Sequence, residues 1–334
     1  RDRIAHVAVN RLLGDSFDPR EQQLPVELVG PPDEVAGLAL EGVRRRLELT
    51  GVDVHDGVVA VAVQGCGSCE ACRAGSTQLC SQRVAVGLAR DGGMAEYAVM
   101  PEQHLVPVPE ELDLAVAALG EPLAVAVHAV NVRAQVQAGQ RVVVSGPGPI
   151  GILCAMLAKF NGAEVLLTGV GQDSEARLPA AERVGLKIAN LSEKPLEEHL
   201  RDSFGDHAPD LWVESSGSVK ALSSALESVR PGGTITVVGL YADEMQFSPT
   251  SAVRRELSLL FSYACNYADY QTSLDLLAAW SAAPTRSVRP WGLSMWCGGV
   301  RRAFCAPPFI HRCCCERVCD GVQLGLGGSE EASS

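Results

Sequence analysis

Four cysteines crowd one short stretch: Cys66-Gly67-Ser68-Cys69-Glu70-Ala71-Cys72, then Cys80 after seven further residues. Four thiolates from one loop close a tetrahedral shell around zinc, with Zn–S bonds of about 2.3 Å. Gly67 and Gly75 let the backbone curl so that the sulfurs converge. A full four-sulfur shell leaves no position for water, so such a zinc is structural rather than catalytic. An iron–sulfur run also begins with two two-residue gaps, but its fourth cysteine follows three residues later and precedes proline. Here seven residues intervene and Ser81 follows. A nucleic-acid zinc ribbon uses two separated cysteine pairs on a basic surface, whereas this chain has a formal net charge of −12. The plain alternative is four unliganded thiols.

The second chemistry-bearing stretch is Gly146-Pro147-Gly148-Pro149-Ile150-Gly151, between the β-branched run Arg141–Ser145 and a helical pattern. G-x-G-x-x-G between a strand and a helix is the dinucleotide fingerprint. Gly146 makes the tight turn, Gly148 lets the backbone approach a pyrophosphate, and Gly151 lets the helix pack on the strand. Pro149 and Ile150 open the helix, whose first N–H groups and positive dipole end favour an anion. An acid ending the next strand would hold the adenosine ribose. Gly169 stands there instead, which removes a repulsion against a 2′-phosphate. With Arg177 near in sequence this leans to NADP; Asp173 reaching back to a ribose would suit NAD, so both remain open.

The elements that must position these groups follow from periodicity. Residues 57 to 64 read as one buried strand, 92 to 99 as a turn and strand, and 104 to 108 as another short strand. Residues 114 to 134 read as packed helices. In the helix after the glycine turn, Ile150, Leu153, Cys154, Leu157 and Phe160 share one face. Further strands are expected near 164–168, 187–189, 211–213, 234–238 and 257–261, with helices between them. That alternation implies a parallel sheet covered on both faces, an α/β architecture. Three segments are expected: an all-β unit over 1–111 holding the cysteine loop, a Rossmann unit over 112–264, and 265–334 returning to the first domain and ending in a divergent, partly disordered tail.

Composition excludes several classes. The acidic charge disfavours nucleic acid. No apolar run approaches a membrane span of about 20 residues, and the charged start Arg1-Asp2-Arg3 has no secretory pattern. Twelve cysteines without such a signal suit metal binding in a reducing cytoplasm. Six of them lie between 297 and 319, in a tail read as divergent rather than as a second metal site.

Four motifs occur in register with a known family. The cysteine loop, Gly92-Gly93-Met94-Ala95-Glu96-Tyr97, Gly120-Glu121-Pro122-Leu123 and the glycine turn resemble the zinc-dependent medium-chain dehydrogenases, most closely the sorbitol and threonine dehydrogenase branch, over residues 38 to 282. The resemblance implies a GroES-like β-barrel domain beside the Rossmann domain. It implies hydride transfer between a secondary alcohol or polyol and NAD or NADP, and a homo-oligomer, dimer or tetramer. It also makes Glu121 and Glu41 the candidate catalytic carboxylates. Leu40 stands where the family's histidine ligand falls, and no cysteine precedes Cys66. The alternative is therefore a dinucleotide-binding remnant lacking the catalytic zinc.

Overall fold

The computed structural model describes residues 4–8, 57–93 and 97–282. Glu41 and the six cysteines between 297 and 319 lie outside the described residues. The chain divides between Leu114 and Ala115 into two compact units.

The first unit is built from antiparallel pairs. Strand β1 (Ile4–Ala8) pairs with β5 (Tyr97–Pro101), β2 (Val58–Ala60) with β6 (Leu105–Pro107), and β3 (Val63–Gln64) with β4 (Val84–Ala85). The single strand expected over 57 to 64 is thus two. The chain changes partners between them. The Val61 amide still donates to the His104 carbonyl at 2.8 Å, while the Ala62 carbonyl already accepts from the Val86 amide at 2.9 Å. Val61 fills the bend and is buried. The cysteine loop leaves directly from β3, with helix α1 (Glu70–Arg73) inside it.

The second unit is a six-stranded sheet of β7 (Arg141–Ser145), β8 (Glu164–Gly169), β9 (Lys187–Asn190), β10 (Leu211–Glu214), β11 (Thr234–Val237) and β12 (Ser258–Phe261). Every pairing is parallel, in the order β9-β8-β7-β10-β11-β12. From β7 the chain builds one half outward and then returns to build the other. The strand order reverses between β7 and β10, where open sheets of this kind leave a crevice. Val142, Val143, Val144, Leu166, Leu167, Trp212, Val213 and Ile235 are all buried, because helices cover both faces of a parallel sheet.

Short α2 (Leu114–Ala117) leads into α3 (Gly120–Val127), which runs on as a π-turn through Arg133. Helix α4 (Pro149–Phe160) lies between the sheet and α3. It therefore buries more than the single face expected from sequence. Residues 151 to 155, Leu157 and Ala158 are buried, while Phe160 is half exposed and meets Trp280 edge to face at 5.7 Å. Next come α5 (Arg177–Arg183), α6 (Leu196–Phe204), α7 (Val219–Ser228) and α8 (Pro249–Arg254). Helix α9 (Tyr267–Ala282) packs on α3, with the Ser273 hydroxyl donating to the Gly120 carbonyl at 2.8 Å. No helix among the described residues is long and apolar enough to cross a membrane.

One ionic tie pins the start of the sheet. Asp210 accepts from Arg141 through the backbone amide (2.9 Å), Nε (2.8 Å) and Nη2 (2.9 Å), and from Arg230 Nε at 2.7 Å. These partners, Arg141 foremost, hold its carboxyl well below the usual carboxylate range. A depressed folded-state pKa contributes stability above the unfolded value of about 3.9, and that contribution is lost as pH falls toward the folded value. Asp210→Asn should therefore destabilise the protein by about 1–2 kcal/mol at pH 7. In thermal melts across pH, the gap between variant and parent should close below about pH 4.

Candidate functional site

The cysteine loop is shaped before any ligand is considered. Cys69 precedes α1, a 3₁₀ turn over Thr77–Leu79 delivers Cys80, and Gly67 and Gly75 take φ of +76° and +78°. The amides of Cys66 and Gln82 donate to Cys80 Sγ at 3.4 and 3.3 Å. All four Sγ atoms lie within 4.8 Å of one another, and Cys66 and Cys72 are 4.0 Å apart. None of the four is in a disulfide. A tetrahedral zinc with bonds of about 2.3 Å needs sulfurs about 3.8 Å apart, so the quartet fits such an ion with small adjustments. The Ser68 hydroxyl, 3.5 Å from Cys66 Sγ, is foremost in drawing that thiol down to about 6. Partial burial pushes Cys72 up to about 11. Among the described residues this is the one convergence of three or more metal-ligating side chains.

In the second unit the glycine turn sits at the end of β7, at the point of strand reversal. Gly146 has φ +96°, and a Cβ there would meet Ser216 Cα at 2.8 Å. A Cβ at Gly151 would lie 1.9 Å from the Gly146 carbonyl oxygen and 2.5 Å from Ser215 Oγ. Gly148 caps α4 and has open space where a Cβ would stand, with Pro149 at the first helical position and Ile150 half-buried behind it. The turn therefore presents bare backbone at the amino end of a twelve-residue helix, an arrangement suited to a pyrophosphate.

At the end of β8, Gly169 packs against the turn, and a Cβ there would be 2.9 Å from Pro147 Cγ and 3.2 Å from Asp173 Oδ2. The two residues that sequence set in competition are bound to each other. Asp173 is buried, its Oδ2 accepts from the Val170 amide at 3.0 Å, and its Oδ1 accepts from Arg177 Nη1 at 3.1 Å. A carboxylate lies beside Gly169 after all, but engaged with a guanidinium.

Glu121 lies in the first turn of α3, and burial raises its pKa. Cys265 is close enough to feel its charge, although burial is the larger reason that the Cys265 thiol is pushed far up. His128 is buried with Nδ1 2.9 Å from Asp269 Oδ2. His104 is held below its ordinary range, by burial first and by Arg90 second. Sequence reasoning missed Asp269, which lies 141 residues from its partner. It also missed Glu214, fully buried at the end of β10 beside the crevice. A carboxylate closing the apolar run Leu211-Trp212-Val213 was the available signal for the latter.

Comparison with known proteins agrees with this geometry. Residues 24–110 match the alcohol dehydrogenase GroES-like domain, and residues 149–279 match the zinc-binding dehydrogenase domain. The chain is similar to a sorbitol dehydrogenase of Halalkalibacterium halodurans, 35% identical over 69% of this chain and 67% of the relative. It is also similar to an L-galactonate-5-dehydrogenase of Escherichia coli K12, 34% identical over 61% of this chain and 59% of the relative. Among solved structures, a zinc-binding dehydrogenase of Sinorhizobium meliloti 1021 bound to NADP superposes with a TM-score of 0.61 at 28% identity, over 66% of this chain and 65% of that one. An alcohol dehydrogenase of Escherichia coli CFT073 in complex with NADH gives 0.62 at 25% identity, over 69% and 67%. The chain thus spans about three fifths to two thirds of the length of these relatives.

The tightest contact of the turn gives a direct expectation. Gly151→Ala drives a methyl into the Gly146 carbonyl, so it should lower stability by about 2–4 kcal/mol in denaturant unfolding, the range of overpacked sites and worse.

Proposed function

Because this chain belongs to the zinc-dependent medium-chain dehydrogenase family, we propose that it is an oxidoreductase moving hydride between a secondary alcohol or polyol and NAD or NADP. The observation that carries the reading is the bare glycine turn at the strand reversal, with Gly146, Gly148, Pro149, Ile150 and Gly151 as the cofactor residues and Gly169 closing the ribose end. The names of relatives, among them a sorbitol dehydrogenase, an L-galactonate-5-dehydrogenase and an L-threonine 3-dehydrogenase, favour this over a non-catalytic remnant.

In this reading Cys66, Cys69, Cys72 and Cys80 hold a structural zinc, which completes the loop without an open coordination position. The nicotinamide cofactor supplies the hydride chemistry, and the chain supplies orientation and electrostatics. The amides opening α4 receive its pyrophosphate. Glu121 and Glu41 are the proposed catalytic carboxylates, Glu41 on the strength of its motif alone. Burial raises the Glu121 pKa, the direction that lets a carboxyl carry a proton closer to neutral pH. The domain limits 1–111, 112–264 and 265–334, a cytoplasmic setting and a homo-oligomeric state complete the proposal.

Three measurements test it. Gly148→Ala adds a methyl where the structure has open space and φ is −72°. The variant should melt within about 0.5 kcal/mol of the parent yet bind nicotinamide nucleotide at least about tenfold more weakly. A panel of polyols and sugar acids assayed with NAD and NADP should show turnover with at least one pair. Nucleotide binding with no turnover on any pair would remove the oxidoreductase reading. Elemental analysis should find that Cys80→Ser carries about one zinc per chain less than the parent.

A further inference from the structure

Glu214 is a carboxylate with no exposed surface, at the carboxyl end of β10 and opposite Ser145 in the sheet register. No Lys, Arg or His lies within ion-pairing reach of it among the described residues. Its charge is met by uncharged donors alone. Oε1 accepts from the Ser216 amide at 2.8 Å, from the Ser216 hydroxyl, and from the Ser145 hydroxyl at 3.4 Å. Oε2 accepts from the Gly217 amide at 3.2 Å and from the Tyr241 hydroxyl. Trp212 Nε1 donates to Ser145 Oγ at 3.0 Å, which turns the Ser145 proton toward the carboxylate.

Those five donors come from three separate segments, which follow the carboxyl ends of three neighbouring strands. Ser145 ends β7 and leads into the glycine turn. Ser216 and Gly217 form the turn after β10, and Tyr241 lies in the loop after β11. The segments touch at backbone distance. Ser215 Oγ donates to the carbonyls of Ser145 (2.7 Å) and Gly146 (3.2 Å). Ser216 blocks any side chain at Gly146, and a Cβ at Gly217 would lie 2.3 Å from the Leu240 carbonyl oxygen. A Cβ at Gly239 would meet Gly217 N at 2.3 Å and Glu214 Oε2 at 2.7 Å. No part of this arrangement can shift without the carboxylate losing donors.

We propose that Glu214 is the positioning residue of the cofactor site: its buried carboxylate gathers the loops after β7, β10 and β11 and fixes the glycine turn in the shape that receives a pyrophosphate. The proposal rests on the dinucleotide reading above. It also has a counterintuitive sign. A buried anion near a phosphate subsite repels the ligand, so a purely electrostatic role predicts that neutralising Glu214 tightens binding. A positioning role predicts the reverse. Glutamine matches glutamate in shape, but whichever oxygen its amide nitrogen replaces, its hydrogens meet a backbone N–H that can only donate, Ser216 at one position and Gly217 at the other.

The test uses full-length, zinc-replete protein and the Glu214→Gln, Ser216→Ala and Tyr241→Phe variants. Fluorescence titration with NADH and NADPH gives affinity without turnover. Hydrogen exchange of the unliganded chains gives the mobility of residues 145–151 and 215–217. Glu214→Gln should weaken binding of both nucleotides by about tenfold or more, and Ser216→Ala and Tyr241→Phe by about threefold. All three should speed exchange in those two segments while zinc content stays at the parent value. Unchanged or tighter binding with unchanged exchange overturns the proposal. Should Glu214→Gln fail to fold, the single-donor variants carry the same two readouts. A parent chain that binds neither nucleotide sinks the dinucleotide reading instead, and exchange then decides whether Glu214 fixes the turn.

Discussion

Gly146 and Gly151 approach so closely that the carbonyl oxygen of one occupies the space a side chain on the other would need. That contact lets the chain leave β7, turn at once, and enter a helix packed flush on the strand it has just left. Everything distinctive about the second unit follows from it. The helix begins after the three residues that follow β7, at the point where the strand order reverses. Gly148 then presents bare backbone in the open. The strand order places this turn at the single reversal point of the sheet, so one geometric constraint yields both the packing and the bare backbone at the amino end of the helix.

The two carboxylates that flank β10 are held in different ways. Glu214 at the end of β10 is met by hydroxyls and amides alone, whereas Asp210, just ahead of the same strand, is met by two arginines. The difference suits their places. The Asp210 carboxylate is partly solvated, whereas Glu214 has no exposed surface. The first unit solves a different problem. Among its described residues it has only two-stranded sheets, which are at best marginal on their own. The quartet of sulfurs drawn within 4.8 Å of one another is the tie that a metal ion would make between the ends of its loop.

Much of this was legible in the sequence, for reasons that are themselves physical. The strands of the second unit are short β-branched runs buried on both faces, and Arg141–Ser145 stands where the pattern places it. The cysteine gaps carry their chemistry in the spacing. What escaped was non-local. The strand at 57–64 reads as continuous because alternation cannot reveal that the chain changes partners at Val61. Phe160 reads as core because periodicity gives no hint that α3 takes the opposite flank of α4. Asp173 and Arg177 read as rival ligands for two cofactors, whereas the fold pairs them. Glu214 looks like the end of a strand until the segments contributing its five donors are brought together.

The proposed dinucleotide site requires that the amides opening α4 receive a pyrophosphate. Backbone amide chemical shifts of isotopically labelled protein, recorded during titration with ADP-ribose, test it most directly. Saturable shifts are expected, concentrated at Gly148, Ile150 and Gly151, with smaller ones at Ser216 and Gly217. Saturable shifts elsewhere in the chain with these amides unmoved, or no shifts at millimolar ligand, would contradict it.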